Sequence, residues 1–161
     1  MVPAIVIYYS LTGNTRQVAR VLAERLSADI QEITEPTSRQ GLKGLFRSIW
    51  QARGKRLAPI LPLAVDPSRY RLAIIGTPVW AFSMASPVRS FLVDYREKLP
   101  RVAFFCTLRS SGSASVFQEM EQAAGQKPLA CLTVKDREVT SNSFTEATEK
   151  FAVALLTWLK G

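Results

Sequence analysis

The sequence predicts an α/β fold, in which a single doubly wound domain carries a five-stranded parallel sheet with helices on both faces. Three observations predict it. Apolar runs of strand length alternate along the chain with stretches whose apolar residues recur every three or four positions, a strand-then-helix order repeated five times. The strand-like runs are apolar on consecutive positions, as strands covered on both faces are. The connections carry the proline, glycine and serine that end such elements. Alternation of this kind requires crossover helices on both faces of one open sheet. At 161 residues, positions 1–161 suffice for one domain with a substantial core.

The first strand is Pro3 to Tyr9, followed by the polar loop Ser10 to Asn14. From Thr15 the pattern is helical, with Val18, Ala19, Val21, Leu22 and Leu26 three or four apart. Asp29 to Thr34 is short and reads as an edge strand. Between Gly41 and Arg53, Leu42, Leu45, Phe46, Ile49 and Trp50 form one stripe of an amphipathic helix. That stripe is expected to pack on the domain, and Gly54 to end the helix. Pro59 and Pro62 mark an extended connection. Arg71 to Thr77 is a strand, Pro78 to Ala85 a loop, and Ser86-Pro87 a helix cap with proline in the first turn. The helix runs to about Lys98. Arg101 to Thr107 is a buried strand, Leu108 to Gly112 a loop, and Ser113 to Ala124 a helix stopped by Gly125. Pro128 to Val134 is the last strand. Ser143 to Lys160 is the last helix, with Phe144, Ala147, Phe151, Ala154, Leu155 and Trp158 on one side.

Composition narrows the function. The chain has no histidine, which removes histidine-based triads and the commonest metal ligand. No metal site and no catalytic acid or base is legible. No apolar stretch approaches the roughly 20 residues of a membrane span. The N-terminus lacks a basic region followed by a long apolar run, so no signal peptide is read and a cytoplasmic location is expected. Cys106 and Cys131 are expected to be two reduced core thiols. The net charge is +8, and six of its cations, Arg39, Lys43, Arg47, Arg53, Lys55 and Arg56, lie in an interval without acid between Glu35 and Asp66. Such a patch attracts an acidic protein, anionic lipid or nucleic acid, or is simply a solvated face. Nucleic acid is the weakest of these, because no recognition module accompanies the charge.

Ligands of open α/β sheets bind beyond the carboxyl ends of the strands. The loops leaving Tyr9, Thr77 and Thr107 are therefore the expected functional surface. The first suits an anion. Its helix-terminal N–H groups have no internal partner, the helix dipole adds partial positive charge, and Ser10, Thr12 and Thr15 add hydroxyl donors. Gly13 permits close backbone approach, and Asn14 is placed to cap the helix or bridge the loop ends. The P-loop and dinucleotide fingerprints are both absent. Cys131 and Arg137 have the spacing of a cysteine phosphatase loop but lack the glycine and donors between them.

The residues Ser10-Leu11-Thr12-Gly13-Asn14-Thr15, with Gly76-Thr77-Pro78-Val79-Trp80 after the third strand and Thr107 to Gly112 after the fourth, resemble the three flavin loops of the flavodoxin family. The resemblance runs through essentially the whole chain. It implies the strand order 2-1-3-4-5 and non-covalent flavin mononucleotide (FMN), with Ser10, Leu11, Thr12, Gly13, Asn14 and Thr15 at the phosphate. It implies that Thr77, Pro78, Val79, Trp80 and Ala81, with Thr107, Leu108, Arg109, Ser110 and Gly112, reach the ring. Trp80 is the expected stacking face, with Phe82 as its substitute; stacking adds roughly 0.5–1.5 kcal/mol beyond area burial.

The chain departs from the acidic electron carriers of that family. No acidic residue lies between Thr77 and Ser90 or between Val102 and Gln118, so the reduction potential of a bound flavin should be less depressed. A redox partner protein would present an acidic docking face. The expected function is electron transfer. The alternatives are a small FMN-dependent NAD(P)H:quinone-type oxidoreductase, and an interaction module with a vestigial flavin site. Oligomeric state is not legible.

Overall fold

A computed structural model describes residues 3–37, 43–44, 47, 50 and 54–161. Strands β1 (Ala4–Tyr8), β2 (Asp29–Glu32), β3 (Leu72–Trp80), β5 (Arg101–Leu108) and β6 (Cys131–Lys135) form a parallel sheet in the order β2-β1-β3-β5-β6. The short strand β4 (Ser83–Met84) turns back antiparallel on the end of β3. Apart from β4, this is the order expected. The helices are α1 (Asn14–Leu26), α2 (Ser86–Asp94), α3 (Ser113–Ala124), the short α4 (Asp136–Thr140) and α5 (Thr145–Lys160).

Alternation along each strand divides the core into two layers. Ala4, Val6 and Tyr8 of β1, with Leu72, Ile74 and Phe105, face α1 and α5 through Val18, Leu22, Phe151 and Leu155. Ile5, Ile7, Ala73, Ile75 and Phe104 face α2 and α3 through Val88, Phe91, Val116 and Met120. Gly76 sits where a Cβ would lie 2.0 Å from the Phe105 ring. Only glycine lets the two central strands keep that register at the base of the second loop.

Several boundaries differ from expectation. Residues 78–80 continue β3, and 83–84 return beside it, so the stretch read as a loop is a hairpin. Ser86 does not cap α2. Ala85 holds that position, and the buried Ser86 hydroxyl has no hydrogen-bond partner among the described residues. Helix α2 stops at Asp94, and a 3-10 turn covers Arg96–Lys98. Helix α5 buries Thr148, Ala152 and Leu159 where Ala147 and Ala154 were expected. Thr148 can enter the core because its hydroxyl donates to the Phe144 and Thr145 carbonyls at 3.0 and 2.8 Å. Cys106 is buried, and burial pushes its thiol up to about 12. Cys131 is exposed instead, on the edge strand β6, whose residues alternate in burial. No helix among the described residues is long and apolar enough to cross a membrane.

The amphipathic helix expected at 41–53 lies largely outside the described residues. Of its stripe, Trp50 is described. It is exposed, with the Arg56 guanidinium 4.1 Å from its ring centroid, so this member of the stripe does not pack on the domain.

Candidate functional site

The site is assembled at the carboxyl edge of β1, β3 and β5. Past β1, the Tyr9 N–H still bonds the Gly76 carbonyl at 3.2 Å, and the chain then turns at Ser10. The Ser10 hydroxyl accepts the Gly13 N–H at 3.1 Å and closes the loop on itself. Gly13 has φ +104° and stands at the N-cap of α1, with no atom of the described residues within 4 Å of where a Cβ would project. A left-handed residue facing open space is a glycine position.

The first helical bond of α1 runs from the Gln17 N–H to the Gly13 carbonyl at 3.0 Å. The N–H groups of Asn14, Thr15 and Arg16 precede it and receive nothing from the helix. No side chain among the described residues caps this end, and no acid stands in its first turn. Asn14 is therefore the first helical residue rather than a cap. Open N–H donors at a helix N-terminus, where the Arg16 side chain is already paired with Glu32, match a phosphate monoester.

The Thr15 hydroxyl meets the Thr107 hydroxyl of the third loop at 2.7 Å, and both residues are buried. Each hydroxyl carries one hydrogen, so this bond uses one and leaves the other to offer. The pair ties the first loop to the third.

Thr77 is wholly buried. Its hydroxyl donates to the Pro78 carbonyl at 2.8 Å and accepts the Ala85 N–H at 3.0 Å, clasping the base of the hairpin. Val79 pairs with Met84 and Trp80 with Ser83, leaving Ala81 and Phe82 as a two-residue turn with φ +47° and +63°. Trp80 is 9% exposed and stands edge-on to Tyr9, with ring centroids 5.6 Å apart at 88°. Phe82 is 65% exposed. The aromatic face available at this edge therefore belongs to Phe82, and Trp80 braces the first loop through Tyr9.

In the third loop, Leu108 is buried while Arg109, Ser110 and Ser111 are exposed. Gly112, at φ +111°, is the N-cap of α3, and a Cβ there would lie 3.1 Å from Phe82 Cδ1. The Ser115 hydroxyl donates to the Phe82 carbonyl at 3.0 Å. The second and third loops thus touch through Phe82 and Gly112.

A cavity of about 360 Å³ opens on the β2 side of the first loop, between Tyr9–Thr12 and Arg16 on one wall and Glu32–Glu35 and Thr37 on the other. The sequence singled out Ser10 and Thr12 on this wall but not Arg16, Glu32 or Glu35 as site residues. The Arg16 guanidinium donates to Glu32 at 2.7 and 3.3 Å, and the Tyr8 hydroxyl donates to the same carboxylate at 3.1 Å. The Tyr9 hydroxyl donates to Glu35 at 2.9 Å. Burial, reinforced by the Glu32 charge, raises the Tyr8 phenol above its ordinary range. Two carboxylates make this wall a poor neighbour for an anion.

Glu119, one residue past the acid-free interval, was also missed. Folding brings its carboxylate within 2.6 Å of the Ser83 hydroxyl and 2.8 Å of Arg89. Burial alone would raise this carboxyl, but the Ser83 and Arg89 hydrogen bonds and the Arg89 charge outweigh it and hold it low.

No protein-family model matches the chain, and no curated protein sequence matches it. Solved structures do. A Lactobacillus acidophilus flavoprotein crystallised in complex with FMN is 22% identical, over 86% of this chain and 96% of that one, with a TM-score of 0.71. A WrbA-like flavodoxin from Agrobacterium tumefaciens is 15% identical over 95% and 97%, with a TM-score of 0.60. Oxidised flavodoxin 2 from Bacillus cereus is 16% identical over 96% and 97%, with a TM-score of 0.59. At such identities the likeness is one of fold, and the fold is flavodoxin-like.

Proposed function

We propose that the chain is a single flavodoxin-like domain that binds FMN non-covalently and transfers electrons to and from a redox partner protein. The observation that carries this reading is the uncapped N-terminus of α1 under left-handed Gly13, at the carboxyl edge of a flavodoxin-like sheet. Bound FMN would supply one- and two-electron redox chemistry, and the protein's part is binding, orientation and electrostatics.

The backbone donors of Leu11, Thr12, Asn14, Thr15 and Arg16, with the Thr12 hydroxyl, hold the phosphate. Ser10 shapes the loop by accepting the Gly13 N–H. Pro78, Val79 and Ala81, with Thr107 to Ser110 and Gly112, line the ring, and exposed Phe82 supplies the aromatic wall. Thr77 and Trp80 support these loops from beneath. The surplus of cations favours a partner with an acidic docking face, and the location we propose is cytoplasmic. A second reading draws on the exposed Phe82 ring, a flat apolar surface open to a flat acceptor. It is a small FMN-dependent oxidoreductase acting with NAD(P)H on quinone-like molecules.

Turnover separates the two. A carrier exchanges electrons with a reductase protein and shows negligible NAD(P)H-dependent quinone reduction alone. Rapid quinone reduction without an added reductase would replace the first reading by the second. A colourless chain that fails to take up added FMN would overturn both and favour a module with a vestigial site.

A further inference from the structure

We infer that Glu119 is a positioning residue that holds the Phe82 hairpin in a strained turn. The proposal rests on the site reading above for its functional meaning, and on the hairpin geometry alone for its structure.

The turn is the first observation. A two-residue hairpin loop with both central residues at positive φ ordinarily uses Asn-Gly or Asp-Gly. Here Ala81 and Phe82 occupy those positions, at φ +47° and +63°. Neither gains from the left-handed conformation, and a side chain makes it unfavourable. Such a turn persists when its surroundings over-determine it.

The second observation is what surrounds it. Glu119 projects from α3 and is 12% exposed at its side chain. Its Oε2 accepts from the Ser83 hydroxyl at 2.6 Å, from Arg89 Nη2 at 2.8 Å and from the Met84 N–H at 3.4 Å. Arg89 Nη2 also reaches the Ser83 hydroxyl at 2.9 Å. Lys55 Nζ lies 3.4 Å from Oε1. One carboxylate thus gathers donors from both residues of β4, from α2 and from Lys55 of the basic interval. Charge-assisted bonds to a largely buried carboxylate are the strong kind. Their common effect is to clamp β4 against α3, which fixes the return of the hairpin and leaves Phe82 at the turn outside the clamp. The Ser115 bond to the Phe82 carbonyl and the Gly112 contact complete the seat.

The test uses the apo chain and two variants, Glu119→Gln and Ser83→Ala. Chymotrypsin cleavage after Phe82, located by mass spectrometry, reports opening of the turn. Cleavage at other aromatic residues and the thermal midpoint report global stability. In Glu119→Gln, cleavage after Phe82 should rise about tenfold relative to the other sites, and in Ser83→Ala by a smaller factor in the same direction. Unchanged cleavage in both variants, or an equal rise at every site, overturns the proposal. If Glu119→Gln does not fold, Ser83→Ala decides alone. A separate titration asks about the cofactor. FMN affinity should fall in Glu119→Gln while affinity for inorganic phosphate stays at the wild-type value; a parallel fall in both would mean general destabilisation and contradict a positioning role. Failure of the wild-type chain to bind FMN would refute the flavin reading and leave the cleavage result to judge the hairpin.

Discussion

At the scale of single residues, the site depends on backbone geometry more than on reactive side chains. Gly13 at φ +104° meets no atom of the described residues that a methyl would strike. Gly13→Ala should therefore cost roughly 1–2 kcal/mol, the left-handed penalty alone. FMN affinity should fall further than stability does, because the methyl projects into the open side of the loop. Urea unfolding beside a flavin titration checks the split. The Thr15–Thr107 pair gives a second residue-scale expectation. Thr15→Val or Thr107→Val alone strands a buried hydroxyl and should cost about 1–3 kcal/mol. The double variant should lie close to wild type, so that a double-mutant cycle shows strong coupling. These roles differ in how far the sequence disclosed them. Gly13 was legible because glycine between a strand and a helix has few other uses. The Thr15–Thr107 bond was not, because it joins residues 92 positions apart that local patterns treat separately.

At the scale of elements, periodicity located the strands and helices well and their ends less well. The β3–β4 hairpin was missed because its turn carries Ala81-Phe82 in place of a glycine signal, and because Pro78 reads as a strand breaker. The structure accommodates Pro78 near the end of β3, where it pairs with Thr107. Replacing the turn by Ala81→Asn with Phe82→Gly should relieve the strain and raise stability by about 1–2 kcal/mol. The same variant should weaken FMN binding, since it deletes the exposed aromatic. Thermal denaturation and FMN titration on one preparation check both signs. In α5, the apolar stripe expected from sequence was rotated because Thr148 satisfies its own hydroxyl within the helix and can be buried. Hydrophobicity alone gives no sign of that.

At the scale of the molecule, the alternation made the open parallel sheet and the carboxyl-edge position of the three loops legible, while the strand order came only as what the flavodoxin resemblance implies. The charge balance was legible as a number and incompletely as a pattern. The acid-free stretches around the second and third loops suggested a site without carboxylates, yet Glu119 arrives from α3 and Glu32 and Glu35 from the far side of the first loop. Each engages a partner: Arg89, Arg16 and Tyr9 respectively. Among the described residues, Arg109 is the exposed cation of the third loop, while exposed Lys55 pairs with Glu119. Charge reversal at Lys43, Arg47 and Arg53 should slow exchange with a redox partner and flatten its salt dependence. Flavin affinity should be unchanged; equal loss of both would remove the division between a docking segment and a cofactor site.

The central claim is that the first loop is a phosphate cradle for FMN, and titrating the apo chain with FMN and with riboflavin tests it most directly. Flavin fluorescence should be quenched at one FMN per chain. Riboflavin, which lacks the phosphate, should bind at least about 100-fold more weakly, because several charge-assisted hydrogen bonds are lost with it. Equal affinity for the two, or no saturable quenching by either, would contradict the account.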